Sequence, residues 1–134
     1  MRVLIVEDSD SIRRMIEALV TARGYEVRSA TSGARGIEEA LAWKPHAVLV
    51  DLDLAGSYDG FEVCKKLRSD EVTKETPVIF LGAANDEDVR RRAAACGAEA
   101  FYEKPFSPLA LLKEIEALAR RSDRALKASV NRAD

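Results

Sequence analysis

Three short apolar runs rich in β-branched residues constrain this chain most: Val3-Leu4-Ile5-Val6, Ala47-Val48-Leu49-Val50 and Val78-Ile79-Phe80-Leu81. Their brevity and their lack of polar alternation suit strands covered on both faces, as in the interior of a parallel sheet. Two weaker segments complete a set of five. Residues 25–30 alternate Tyr25, Val27 and Ser29 as an edge strand does, and residues 100–103 form a short aromatic-containing piece. Between the runs lie amphipathic stretches with helical spacing. The first carries Ile12, Met15, Ile16, Leu19 and Val20 and stops near Gly24; later ones carry Ile37, Ala40 and Leu41, then Phe61, Cys64 and Leu67. Val89, Ala93 and Cys96 precede Gly97, and Leu111, Ile115 and Leu118 follow Pro108, a residue favoured at a helix start. Five alternating βα units predict an α/β fold, a parallel sheet wrapped on both sides through right-handed crossovers.

At 134 residues the chain has room for one such domain and excludes a large multi-domain enzyme. The 21 basic and 23 acidic residues leave a formal charge of -2, which argues against direct nucleic-acid binding, because phosphate contacts need a clustered excess of cations. No apolar run is long enough to cross a bilayer, so no membrane partner and a cytoplasmic location are expected. Cys64 and Cys96 fall on predicted helix faces and read as buried, reduced thiols, while a single histidine, His46, leaves too few ligands for zinc. After about Arg121 the apolar stripe fades. Residues 1–121 therefore form the domain and 122–134 a tail or linker, although Leu112, Ala119 and Leu126 share a seven-residue spacing that would let the last helix run on.

In a doubly wound sheet the functional crevice lies at the carboxyl ends of the strands. The first strand ends in Glu7 and Asp8, the third in Asp51 with Asp53 and Asp59-Gly60 beyond it, the fourth in Gly82-Ala83-Ala84, and the fifth in Lys104-Pro105-Phe106. Three carboxylates and one ammonium would meet at one edge. Crowded carboxylates repel one another, and a hard divalent cation bound through oxygen relieves them. Mg²⁺ suits such a set, since it accepts one or two carboxylates and leaves positions for phosphate oxygens. The competing explanation of Glu7-Asp8 is charge at a helix N-terminus, with Asp10 or Ser11 capping the first helix.

These motifs, in this order, resemble the receiver domain of two-component response regulators over nearly the whole length to about Arg121. The resemblance rests on Val3 to Asp8, on Val48-Leu49-Val50-Asp51-Leu52-Asp53-Leu54 leading to Asp59-Gly60, and on Lys104-Pro105-Phe106. It implies the flavodoxin-like strand order 2-1-3-4-5. It also implies that Asp51 accepts a phosphoryl group from a histidine kinase or histidine phosphotransfer protein. Asp8 would then hold Mg²⁺ directly, Glu7 through water, and Asp51 and the backbone carbonyl of Asp53 would add ligands. Lys104 would pair with the phosphoryl oxygens, and the Lys104-Pro105 peptide would be cis. A downstream protein would be met through the face built by the fourth helix, fifth strand and fifth helix.

The chain departs from that family where Ser or Thr usually ends the fourth strand, for Gly82 stands there. A charge-assisted contact of roughly 1.5–3 kcal/mol to the phosphoryl group is thereby lost, leaving the backbone amide of Ala83 as a donor. Phe101 holds the place of the aromatic residue that normally follows that hydroxyl inward. In the loop after Asp51, Gly56 and Gly60 are expected to supply backbone freedom, and Asp53 adds a carboxylate near the site or caps locally. Arg90-Arg91-Arg92 reads as a solvated helix face that can meet an acidic partner. The overall expectation is a phosphoacceptor and not an enzyme. Two alternatives are a phosphorylation-independent interaction module, suggested by Gly82, and a phosphatase of the haloacid dehalogenase type, disfavoured because Asp51-Leu52-Asp53 follows the third strand instead of the first.

Overall fold

A computed structural model describes the backbone of residues 1–132, with side chains through Ser122 and at Arg124 except that of residue 123. Five strands, β1 (Arg2–Val6), β2 (Glu26–Ala30), β3 (Ala47–Asp51), β4 (Val78–Gly82) and β5 (Ala100–Glu103), form one parallel sheet in the order β2-β1-β3-β4-β5. The helices between and after them are α1 (Asp10–Ala22), α2 (Gly33–Trp43), α3 (Gly60–Arg68), α4 (Glu87–Ala95) and α5 (Pro108–Arg132). This is the doubly wound parallel sheet expected from the alternating pattern, in the flavodoxin-like strand order that the resemblance implies.

Because side chains alternate across a strand, each central strand feeds two cores. Leu4, Val6, Val48, Val50, Val78 and Phe80 face one side and pack with Ala40 of α2, Val63, Cys64 and Leu67 of α3 and Ala93 of α4. Val3, Ile5, Ala47, Leu49, Ile79 and Leu81 face the other and meet Ile16 and Val20 of α1 and Leu111, Ile115 and Leu118 of α5. The three apolar runs are fully buried as a result, which accounts for their lack of polar alternation. β2, at the sheet edge, keeps exposed residues at Glu26, Arg28 and Ser29.

Local chemistry sets the element ends. Ser9 in extended conformation caps α1, accepting from the Ile12 N–H, so the cap lies one residue earlier than Asp10 and two earlier than Ser11. Asp10 instead becomes the first helical residue and pairs with Arg13 at 2.6 Å, where its charge suits the helix N-terminus. Gly24 takes a φ of +81° just past the end of α1. The backbone of α5 continues beyond Arg121 to Arg132, while Leu126 lies outside the residues whose side chains are described. Both cysteines are free, but only Cys64 is buried; Cys96 is half-exposed at the C-terminal end of α4. Among the described residues no helix is long and apolar enough to cross a membrane.

Candidate phosphoacceptor site

The parallel register places the ends of β1, β3 and β4 side by side. Val6 lies opposite Val50, and Asp51 opposite Leu81, so the residues that follow β1 reach the level of Asp51. Among the described residues, Glu7 and Asp51 are the acidic ones that the fold draws inside, with relative exposures of 0% and 2%. Asp8 stays exposed at the rim. One carboxylate oxygen from each of Glu7, Asp8 and Asp51 lies within 4.8 Å of the others.

Lys104, immediately after β5, reaches across this cluster. Its Nζ lies 3.0 Å from Glu7 Oε1 and 3.2 Å from Asp51 Oδ2. The peptide between Lys104 and Pro105 is cis, as expected. Burial works to lower the pKa of the ammonium, but hydrogen bonding and Coulomb attraction from Glu7 and Asp51 prevail and hold it above the ordinary lysine value. The Glu7 carboxyl is pushed up to about 7, first by burial and then by its hydrogen bond with Asp51, against the opposing pull of Lys104 and the Ser9 amide. One ammonium thus does not satisfy two buried carboxylates. An all-oxygen, carboxylate-rich donor set in which burial and the neighbouring Asp51 both raise the Glu7 pKa fits a hard divalent cation. The residues present therefore suit Mg²⁺.

Other contacts went unforeseen. The Ser9 N–H donates to Glu7 Oε2 at 3.1 Å, and Arg13 Nη1 donates to the Glu7 carbonyl at 3.2 Å. The Ala55 N–H lies 3.4 Å from Asp8 Oδ2, and the Asp53 N–H donates to Asp51 Oδ1 at 2.9 Å. These are backbone donors or an arginine one turn along a helix, and their sequence signal is slight.

Asp53 does not add its carboxylate to the acidic trio. Its Oδ2 accepts the N–H of Ala83 at 2.9 Å, the very amide expected to meet a phosphoryl oxygen. At Gly82, an added Cβ would lie 3.2 Å from both Leu52 Cδ1 and Phe101 Cε2. The Phe101 ring therefore already lies over the position where a hydroxyl-bearing side chain would start. Gly60 serves a different purpose from the one expected. A Cβ there would lie 2.7 Å from the Asp51 carbonyl and from Leu52 Cα, so this glycine permits close backbone packing beneath the site. Gly56, with a φ of +98°, is the loop position that needs conformational freedom.

His46 sits at the opposite sheet end, where its Nδ1 accepts the Arg2 N–H at 2.8 Å. The three consecutive arginines diverge: Arg90 bonds Asn85, Arg91 pairs with Asp88, and Arg92 stacks over the Phe61 ring at 4.0 Å.

Comparison with known proteins agrees with this geometry. Residues 3–116 match the family described as response regulator receiver domain. The DNA-binding dual master transcriptional regulator RpaA of Synechocystis is 34% identical over 96% of this chain and 53% of its own length. The phosphate regulon regulatory protein PhoB of Pseudomonas aeruginosa is 34% identical over 90% of this chain and 52% of its own. The chain thus spans about half the length of these relatives. Among solved structures, a putative response regulator from Chloroflexus aurantiacus superposes with a TM-score of 0.81 at 32% identity, covering 87% of this chain and 95% of that one. Chemotaxis protein CheY4 of Vibrio cholerae also gives 0.81, at 31% identity, covering 87% and 97%. Fold, edge chemistry and family match converge: this chain belongs to the response regulator receiver domains of two-component signalling.

Proposed function

We propose that Asp51 accepts a phosphoryl group from the phosphohistidine of a histidine kinase or histidine phosphotransfer protein. The observation that carries this reading is Lys104 Nζ poised 3.0 Å from Glu7 and 3.2 Å from Asp51 within a cluster of three carboxylates. In the transfer, an Asp51 carboxylate oxygen forms the new P–O bond while the P–N bond to the donor imidazole breaks, and the departing nitrogen keeps the electron pair. Lys104 faces the charge that develops on the phosphoryl oxygens. Glu7, Asp8, Asp51 and the backbone carbonyl of Asp53 would hold Mg²⁺, which when bound neutralises charge on the incoming phosphoryl group. Asp51 is consumed stoichiometrically, so the domain acts as a phosphoacceptor and not as an enzyme with turnover. Such a role suits a cytoplasmic protein whose downstream partner is another protein, met at the α4-β5-α5 face, without direct contact to nucleic acid or membrane.

Acetyl phosphate with Mg²⁺ tests the reading. Intact-mass spectrometry should show one added phosphoryl group that disappears when Mg²⁺ is chelated and in Asp51→Asn. An unlabelled wild-type chain in the presence of both acetyl phosphate and a cognate kinase would overturn it. That result would favour a second reading, a phosphorylation-independent interaction module. The Asp53 carboxylate on the Ala83 amide and the Phe101 ring over Gly82 are what support that alternative.

A further inference from the structure

Away from the carboxylate cluster, α3 and α4 flank an open groove of about 650 Å³. From α3 come Phe61, Lys65 and Arg68, spaced i, i+4, i+7 along one ridge; from α4 and its C-cap come Arg92, Ala95 and Cys96, spaced i, i+3, i+4 along the other. The lining runs about 10 Å along α3, from Phe61 to Arg68, and about 6 Å along the end of α4, from Arg92 to Cys96. Phe61, Ala95 and Cys96 provide an apolar floor. Lys65, Arg68 and Arg92 bring three positive charges, and among the described residues no carboxylate lines the groove.

Those charges are not neutralised locally. The ten ion pairs among the described residues include none of the three. Arg68 donates only to carbonyl oxygens, those of Cys96, Gly97, Lys74 and Thr76. It braces α3 against the end of α4 and so fixes the width of the groove while keeping its charge. Arg92 is held over the Phe61 ring, a contact that places the guanidinium at the edge of the floor. Its neighbour Arg91, by contrast, is paired with Asp88 and does not line the groove.

We infer that the α3-α4 groove docks an acidic amphipathic helix of a partner protein, its apolar ridge on Phe61, Ala95 and Cys96 and its carboxylates against Lys65 and Arg92. The reasoning is charge complementarity joined to shape. A groove whose two sides both carry apolar residues accepts a third helix by ridge-into-groove packing, and the cationic rim selects for an acidic one. This surface is separate from the phosphoacceptor edge, so the inference stands whether or not Asp51 is phosphorylated.

The groove carries its own reporter. Cys96 is free and half-exposed on the groove floor, where Arg68 bonds its carbonyl oxygen. Its thiol is open to alkylation, and an occupant should shield it.

The probe is a fluorescein-labelled synthetic 14-residue peptide of Leu and Glu, with Leu at i, i+3, i+4 and i+7, added to the full chain. Anisotropy should show saturable one-to-one binding, and Arg92→Glu and Lys65→Glu should each weaken it about ten-fold. Arg91→Glu should change it less than two-fold. Bound peptide should slow iodoacetamide labelling of Cys96, located by mass spectrometry, at least five-fold. The inference is overturned if no saturable binding occurs, or if Arg91→Glu weakens binding as much as Arg92→Glu. It is equally overturned if a scrambled peptide lacking the apolar ridge binds as well, or if citrate alone protects Cys96 to the same extent, which would mark a small-anion site.

Discussion

Asp53 Oδ2 accepts the backbone N–H of Ala83 at 2.9 Å, joining the loop after β3 to the end of β4. A phosphoryl group on Asp51 and the Asp53 carboxylate would compete for that donor. Freeing it should strengthen binding of beryllofluoride, a stable phosphoryl mimic, in the presence of Mg²⁺. Asp53→Ala is expected to tighten binding roughly ten-fold, about 1.4 kcal/mol. Asp53→Asn, which removes charge but keeps an acceptor, should tighten it less. Equal affinity in wild type and Asp53→Ala, measured by titration calorimetry, would show that the contact does not compete.

Gly82 offers a second way to strengthen the same complex. The atoms an added Cβ would crowd, Leu52 Cδ1 and Phe101 Cε2 at 3.2 Å, are side-chain ends that can yield by a few tenths of an ångström. Gly82→Ser should therefore fold, with stability within about 1 kcal/mol of wild type. Its hydroxyl adds a charge-assisted donor, so beryllofluoride affinity should rise ten-fold or more. NMR shifts across the α4-β5-α5 face on adding beryllofluoride should also grow larger than in wild type. Unchanged affinity would mean that the hydroxyl is not the missing element.

Gly60 has no such latitude. A Cβ there meets backbone at 2.7 Å on two sides, the Asp51 carbonyl and Leu52 Cα, and backbone cannot give way without moving β3 against α3. Gly60→Ala is expected to destabilise the domain by about 2 kcal/mol. In urea unfolding the midpoint should fall while the slope stays constant. A midpoint equal to that of wild type would contradict the tight packing.

His46 gives the domain a pH dependence remote from the carboxylate cluster. Burial, followed by the nearby Arg2 and N-terminal charges, holds its pKa below the ordinary 6.5, and its Nδ1 must be unprotonated to accept the Arg2 N–H. As pH falls below 6.5 the unfolded chain binds a proton that the folded chain resists, so this contribution to stability is present above that pH and lost on acidification. His46→Asn keeps an acceptor and removes the titration. Its stability between pH 7.5 and 5.5 should fall less steeply than that of wild type in parallel urea titrations. Identical slopes would assign the pH dependence to other groups.

The fold was legible in the sequence because strand burial leaves a local mark. Runs such as Val48-Leu49-Val50 are apolar on both faces only when helices cover both faces, and the helices announce themselves by their own periodicity. The acidic pair, Asp51 and Lys104 were legible for a related reason: a parallel sheet brings the residues after successive strands to one edge, so position in the chain implies proximity. Caps and loop contacts were less visible. Ser9 rather than Asp10 or Ser11 caps α1 because Ser9 is extended and its N–H is held by Glu7, a relation that depends on how β1 ends.

By itself, then, the chain of residues determined the five βα units, the edge at which chemistry can occur and the residue types gathered there. Tertiary structure alone decided how those residues share donors. It put Lys104 between Glu7 and Asp51, turned the Asp53 carboxylate onto the Ala83 amide, laid Phe101 over Gly82 and sent Arg92, but not Arg91, into a groove. Periodicity reports burial, which averages over many neighbours. A hydrogen bond or a ring contact depends on the position of one atom relative to another brought from a distant part of the chain.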